Sequence, residues 1–298
     1  MRTTYLKLAL TAFFWGGVFH LAKYSVGHLS PLAIGAWRFL SAGLLLVPLV
    51  YWREGLDWAG LRRNALPLLA MAVVGICAFN LALFYGLRWT SPVNGALIMA
   101  LTPALTVLLS ALLNRDAVSR RQLGGLALGL AGVGVVVSHG SLAALLALTF
   151  TPGDALVFCG ALAMAVYSSI PRRYVHGLTS LQISAATVGL GGVLMGGAAQ
   201  FLSADFYTLP PTGVIAAIAA MSVFASVLAY MWWNDGIAKL GPAKTAIYFN
   251  LVPIFTALIG IALGQPPSGA QLAGTVLVIG GVLMSTRPAP KTVAAHAR

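Results

Sequence analysis

Residues 86–113 read GLRWTSPVNGALIMALTPALTVLLSALL, and residues 236–263 read GIAKLGPAKTAIYFNLVPIFTALIGIAL. In the first stretch Ser91 reads as a helix N-cap and Pro92 as a first-turn residue, because proline gives up only an amide hydrogen that has no helical partner there. Asn94 and Thr102 are the polar side chains of the next turns, and Pro103 interrupts the backbone ladder near mid-helix. The second stretch repeats these landmarks. Gly86, Pro92 and Pro103 recur as Gly236, Pro242 and Pro253 at a constant spacing of 150 residues. One unit further on, Gln122-Leu123 recurs as Gln271-Leu272 at a spacing of 149. Three helix-setting residues at one offset read as a duplicated protein, not as chance likeness between apolar segments.

Composition sets the environment. Hydrophobic residues make up 59% of the 298-residue chain and charged residues 8%, with a mean hydropathy of +0.89, where a soluble domain is about a quarter charged. Such a chain cannot clothe its surface in polar groups, so it reads as an all-α polytopic membrane protein. Ten spans of about 20 residues fall near residues 5–24, 31–52, 65–85, 92–113, 122–138, 152–171, 180–201, 211–233, 243–263 and 269–285. The first is read as a retained span and not a signal peptide, because no convincing small-residue cleavage site follows it. Thr151 and Asp154 resemble a capping box at the start of the sixth. The chain then divides into a first repeat (1–138), a linker (139–150), a second repeat (151–286) and a polar tail (287–298).

Charge gives the expected orientation. Of 18 basic residues, 15 fall in the termini or loops that share a side with them, Arg53, Arg62, Arg63, Arg172 and Arg173 among these. Only Lys23 and Arg88 fall opposite, and Arg38 lies inside the second span. The positive-inside rule then places both termini in the cytoplasm. Five spans per repeat force the two copies to cross the membrane in opposite senses, the inverted-repeat layout of alternating-access carriers. The net charge of +12 calls for anionic lipid and topology selection, not for nucleic acid. Cys77 and Cys159 sit in apolar runs and indicate neither a disulfide framework nor a metal site. Gly125, Gly129 and Gly132, Gly192 with Gly196, and Gly260 with Gly264 are expected to let helices approach closely. The GGLALGLAGVG run lacks the lysine and the strand context of a nucleotide loop.

This layout, the Pro103 and Pro253 helices and the glycine-rich spans after each resemble the drug/metabolite transporter superfamily in its EamA-domain branch, over about residues 5–286. The resemblance implies a ten-helix exporter of small metabolites in a bacterial inner membrane. Many relatives carry an acidic Gly-Glu pair where the post-proline helix ends; here those places read Asn114-Arg115-Asp116 and Gly264-Gln265. The opening LALTAFFWGGVFHLAKY (8–24) and the aromatic content look like the YddG-type exporters of aromatic amino acids, which implies aromatic amino acids and related aromatic or cationic compounds as cargo. The broader family leaves threonine, homoserine, nucleosides and sugars as alternatives.

A carrier needs a polar cavity at mid-bilayer. The aromatic, amide and thioether side chains away from span ends are Trp15, Phe19, Phe79, Asn80, Asn94, Met99, Tyr167, Tyr230, Asn234 and Tyr248, with Asn250 excluded from sharing a face with Tyr248. Asn80 must face protein or water, since an unpartnered amide in hydrocarbon costs several kcal/mol. Trp52, Trp58, Trp89, Trp232 and Trp233 read as interfacial anchors. Arg38, about 10 Å below its helix end, either snorkels outward or attracts a carboxylate at a gate. His20 either carries a proton or is held structurally. Pro103, Pro253, Gly86 and Gly236 are the expected hinges. The six acids fall at or near span ends, so no carboxylate relay is expected and transport reads as facilitated unless His20 carries a proton. No nucleophile–base pair, cofactor motif or metal cluster suggests an enzyme, and nothing repeats as a channel filter would. The expected partners are a small-molecule substrate and lipid, with the protein acting as a monomer.

Overall fold

The computed structural model describes residues 2–114, 120–138, 140–141 and 151–286, and among these the regular structure is all helix, joined by turns, with no strand. The first half holds α1 (Arg2–Ser25), α2 (Pro31–Arg53), the short α3 (Trp58–Arg63), α4 (Ala65–Gly86), α5 (Pro92–Met99), α6 (Thr102–Asn114) and α7 (Arg120–Val137). The second holds α8 (Pro152–Tyr174), α9 (Ser180–Leu202), α10 (Thr212–Leu240), α11 (Pro242–Ala246), a 3-10 turn (Ile247–Asn250), α12 (Leu251–Ala262) and α13 (Gly269–Thr286). Among the described residues, 8 helical segments are long and apolar enough to cross a membrane. The fifth and tenth spans expected from the sequence appear as shorter apolar stretches, Leu123–Val136 and Gly269–Gly281. The helices that hold them, α7 and α13, are 18 residues each, about 27 Å at 1.5 Å per residue, close to a hydrocarbon core of about 30 Å.

Local signals explain the helix ends. Ser91 Oγ accepts from the Asn94 amide at 3.1 Å, and Pro92 opens α5 as its spacing requires. Thr151 and Asp154 form the reciprocal capping box. A second box at Thr179 and Gln182 opens α9. The proline breaks lie just upstream of the prolines themselves. The α5 ladder ends at Met99 and α6 restarts at Thr102, while the equivalent stretch before Pro253 tightens into the 3-10 turn.

The repeat is visible in packing. Gly86 lies against Val157 and the Gly153 carbonyl, and Gly236 lies against Leu8. Leu8 and Val157 themselves stand 149 residues apart, so α4 meets the first helix of the second half as α10 meets the first helix of the first. Both α4 and α10 also carry a π-helical stretch, Ala72–Ala78 and Met221–Leu228. Their central carbonyls, Gly75 and Ala225, are again 150 residues apart.

Glycine permits the closest helix approaches. A Cβ on Gly192 of α9 would stand 2.6 Å from the Phe39 carbonyl oxygen of α2, and Gly43 faces Gly189 across the same seam. The α7–α13 seam is built likewise, with Gly281 against Gly125 and Gly129. Gly264 departs from the expected role: its φ of +74° and empty surroundings make it a chain-turning residue after α12.

Loops at one end are clasped across the halves. Asp205 accepts from the Ser30 hydroxyl at 2.7 Å and the Ser203 hydroxyl at 2.8 Å. Burial pushes this carboxyl up, but the hydrogen bonds from Ser30 and Ser203 outweigh it and hold Asp205 below its ordinary value. Trp37 donates to the Phe206 carbonyl at 3.0 Å and stacks on its ring.

Gly192→Ala is expected to cost about 1–3 kcal/mol, because the colliding atoms are backbone and cannot rotate away. Gly197→Ala, with nothing within 4 Å, is expected to leave stability unchanged or slightly raised by helix propensity. Thermal unfolding of the two purified variants checks the contrast, and equal melting points would contradict the seam.

Candidate functional site: a closed centre between two vestibules

Two recesses open at opposite ends of α1. The first, about 910 Å³, is lined by His20, Lys23, Arg88, Trp89 and Gln265 among others. The second, about 710 Å³, is lined by Lys7, Arg53, Glu54, Asp235 and Lys239 among others. The two basic residues that the sequence set apart thus share one recess, and three of the majority group share the other.

Between them the helices close on a cavity of only about 20 Å³, room for roughly one water molecule. Trp15, Phe19, Phe79, Asn80 and Met99 line it together with Arg38, Val18, Leu83 and Phe249. Half of the cavity residues expected from sequence therefore meet here. Arg38 is 2% exposed, which removes the snorkelling alternative. Its Nε donates to Ser226 Oγ at 2.8 Å, Nη1 to Asn80 Oδ1 at 3.1 Å and Nη2 to the Ala225 carbonyl at 3.3 Å. Its guanidinium carbon also lies 4.8 Å from the Phe39 ring centre and 5.8 Å from that of Phe84, favourable for a buried cation.

The π-helical stretches explain why main-chain acceptors are on offer in the middle of apolar helices. Trp15 donates to the Ala225 carbonyl at 3.1 Å, and Tyr230 to the equivalent Gly75 carbonyl at 3.4 Å. Asn80 and Tyr230, themselves 150 residues apart, touch at 3.4 Å. Tyr230 continues the cluster edge-on to Tyr167, ring centres 5.8 Å apart. Beyond it Asn234 donates to Tyr167 at 2.9 Å and to Ser184 at 2.8 Å.

Other expected residues lie elsewhere. Asn94 is engaged by Gln271 at 2.7 Å in the first turn of α5. Tyr248 does not reach the centre; it stacks on Tyr5 with ring centres 6.4 Å apart. Its neighbour Phe249, which points a different way on the 3-10 turn, takes the central place, stacked on Trp15 at 5.0 Å. Asn250 is buried with its amide unpartnered. His20 stands at the wall of the first recess, 2.8 Å from the Thr256 carbonyl. Trp52, Trp58 and Trp89 are exposed, but Trp233 is 1% exposed and packs on Trp15, so it is no surface anchor. Ser226, Ser184 and Phe249 escaped the sequence reading. The i, i+4 pair Ser222 and Ser226 in an otherwise apolar helix was the available signal for the first.

Among the described residues no group of three or more His, Cys, Asp or Glu side chains could hold a metal. The model of the EamA-like transporter family matches the chain twice, over residues 2–138 and 151–287. The chain belongs to the EamA-like transporter family. This EamA-like transporter is 40% identical over 284 residues to the uncharacterized transporter YyaM of Bacillus subtilis (strain 168), a match covering 95% of this chain and 93% of the relative. It is 24% identical over 292 residues to the aromatic amino acid exporter YddG of Ancylobacter novellus, covering 96% and 98%. A solved crystal structure shares the fold with a TM-score of 0.69 at 21% identity, covering 96% of this chain and 97% of the other. The protein is thus a multi-pass inner-membrane transporter of small molecules and not an enzyme.

Asn234→Leu in this transporter is expected to cost about 1–3 kcal/mol, since Tyr167 and Ser184 lose a buried partner. Adding Tyr167→Phe should recover part of the loss, read as the unfolding midpoint in detergent. A double variant no more stable than Asn234→Leu would contradict the network.

Proposed function

We propose that the protein is a ten-span secondary carrier with both termini cytoplasmic. In this reading residues 1–138 and 151–286 are inverted five-helix repeats, with 139–150 as linker and 287–298 as a cytoplasmic tail. It exports small amphipathic metabolites by alternating access, with aromatic amino acids as the first substrate class, and acts as a monomer. One observation carries the reading: two wide recesses at opposite ends are separated by a plug whose internal void of about 20 Å³ holds no amino acid. A channel would need a continuous path; a carrier needs a barrier that yields first on one side and then on the other.

The plug's chemistry supports amphipathic cargo. Trp15, Phe79 and Phe249 offer aromatic area for offset stacking, and Asn80, Tyr230 and Arg38 offer polar contacts. When the helices part, the cavity grows between these walls. The breaks before Pro103 and Pro253, and the glycine contacts at Gly86 and Gly236, are where the halves flex against each other. Among the described residues no carboxylate touches Arg38, Asn80 or Tyr230, and transport is facilitated by the substrate gradient in this account. The basic recess containing Lys7, Arg53 and Lys239 faces the cytoplasm.

Reconstituted vesicles loaded with tryptophan should show saturable counterflow of labelled tryptophan. Phenylalanine should compete, and threonine or a nucleoside should not. Competition by threonine or a nucleoside with none by aromatic amino acids would overturn the substrate class, and single-channel conductance without counterflow would overturn the carrier.

A further inference from the structure

Arg38 presents an electrostatic problem that the plug leaves unsolved. A guanidinium does not lose its proton in a protein, so a full positive charge sits 2% exposed in the barrier. Its three hydrogen-bond partners are a hydroxyl, an amide oxygen and a main-chain carbonyl, all neutral. Three of five N–H donors are thereby used, leaving two. A buried cation without an anion is costly, and an ionisable group at this depth is retained where something charged must pair with it.

We propose that Arg38 is the binding site for a carboxylate borne by the substrate. The inference rests on the carrier reading above and narrows its cargo: transported molecules carry a carboxylate, while an amine is dispensable and cations without a carboxylate are excluded. A carboxylate matches the guanidinium fork in a two-point contact that neither Ser226 nor Asn80 can make. These neutral acceptors are therefore exchangeable for it. The exchange also has a mechanical consequence. Ser226 and Ala225 belong to α10 and Asn80 to α4, so the arginine ties α2 and α4 of the first half to α10 of the second. A substrate carboxylate that takes over the fork releases those ties and lets the plug part.

The approaches agree in sign. Lys23 and Arg88 line one recess, which among the described residues has no acidic side chain in its lining. The other sets Lys7, Arg53 and Lys239 against Glu54 and Asp235, and Lys239 pairs with Asp235 at 2.8 Å. An anion is thus favoured along the whole route, and a cation is repelled at its centre.

Thermal unfolding of the purified full-length protein with matched ligands tests this. Tryptophan, indole-3-propionate and tryptamine share a ring but differ in carboxylate and amine; leucine, 4-methylvalerate and isopentylamine do the same without one. The amino acid and the acid of at least one set should raise the melting point, and the amines should not. Arg38→Gln should weaken carboxylate binding about 10- to 100-fold, and Arg38→Lys should weaken it less. The wild-type series decides by itself if Arg38→Gln does not fold. Amines that bind as well as the acids, or no shift with any carboxylate, would overturn the assignment. Shifts confined to the leucine set would remove the aromatic substrate class and leave the carboxylate site standing.

Discussion

A positive charge held out of water at the meeting point of three helices governs this molecule. Arg38 reaches α4 through Asn80 and α10 through Ser226 and the Ala225 carbonyl. The helices must stay in register for those bonds to exist, because an arginine that lost them would be left bare in an apolar interior. The packing around it follows. Phe39 and Phe84 present ring faces to the guanidinium, and Trp15 shares its carbonyl on Ala225. Tyr230 packs edge-on against Trp15, ring centres 5.9 Å apart.

Duplication supplies the frame that makes this possible. Each half contributes a helix with a π-helical stretch whose middle carbonyl accepts a side chain, Gly75 in one and Ala225 in the other. Asn80 and Tyr230, 150 residues apart, occupy equivalent places in the two copies and meet each other at 3.4 Å. The two halves have then diverged around the shared geometry. An amide serves the arginine on one side and a phenol closes the aromatic cluster on the other. Glycine seams hold the remaining helices close together, and the centre keeps a cavity of only about 20 Å³.

Much of the architecture was legible in the chain. Pro103 and Pro253 announced the helix breaks, Ser91 and Thr151 the caps, and the spacing of 150 the repeat, because each is a local constraint written in one or two residues. The centre was half legible. Asn80 and Arg38 stood out as polar residues in apolar spans, but Ser226 lies 188 residues from Arg38 and only the folded chain joins them. Tyr248 looked central as an aromatic residue inside an apolar span, but it stacks on Tyr5 and its neighbour Phe249 packs on Trp15, a choice of face that only the folded chain settles. The π-helical stretches, AVVGICA and MSVFASVL, contain nothing by composition that separates them from ordinary helix.

The central claim is that the recesses at the two ends open in turn around the Arg38 plug. Spin labels at Trp89→Cys and Gly213→Cys, both in the lining of the first recess, would span it, and labels at Glu54→Cys and Lys239→Cys the other, in a background lacking Cys77 and Cys159. Pulsed electron–electron distance measurement in lipid, with and without substrate, should give two populations in which one pair is long while the other is short. Both pairs long in the same molecules, or distances that never respond to substrate, would contradict the account.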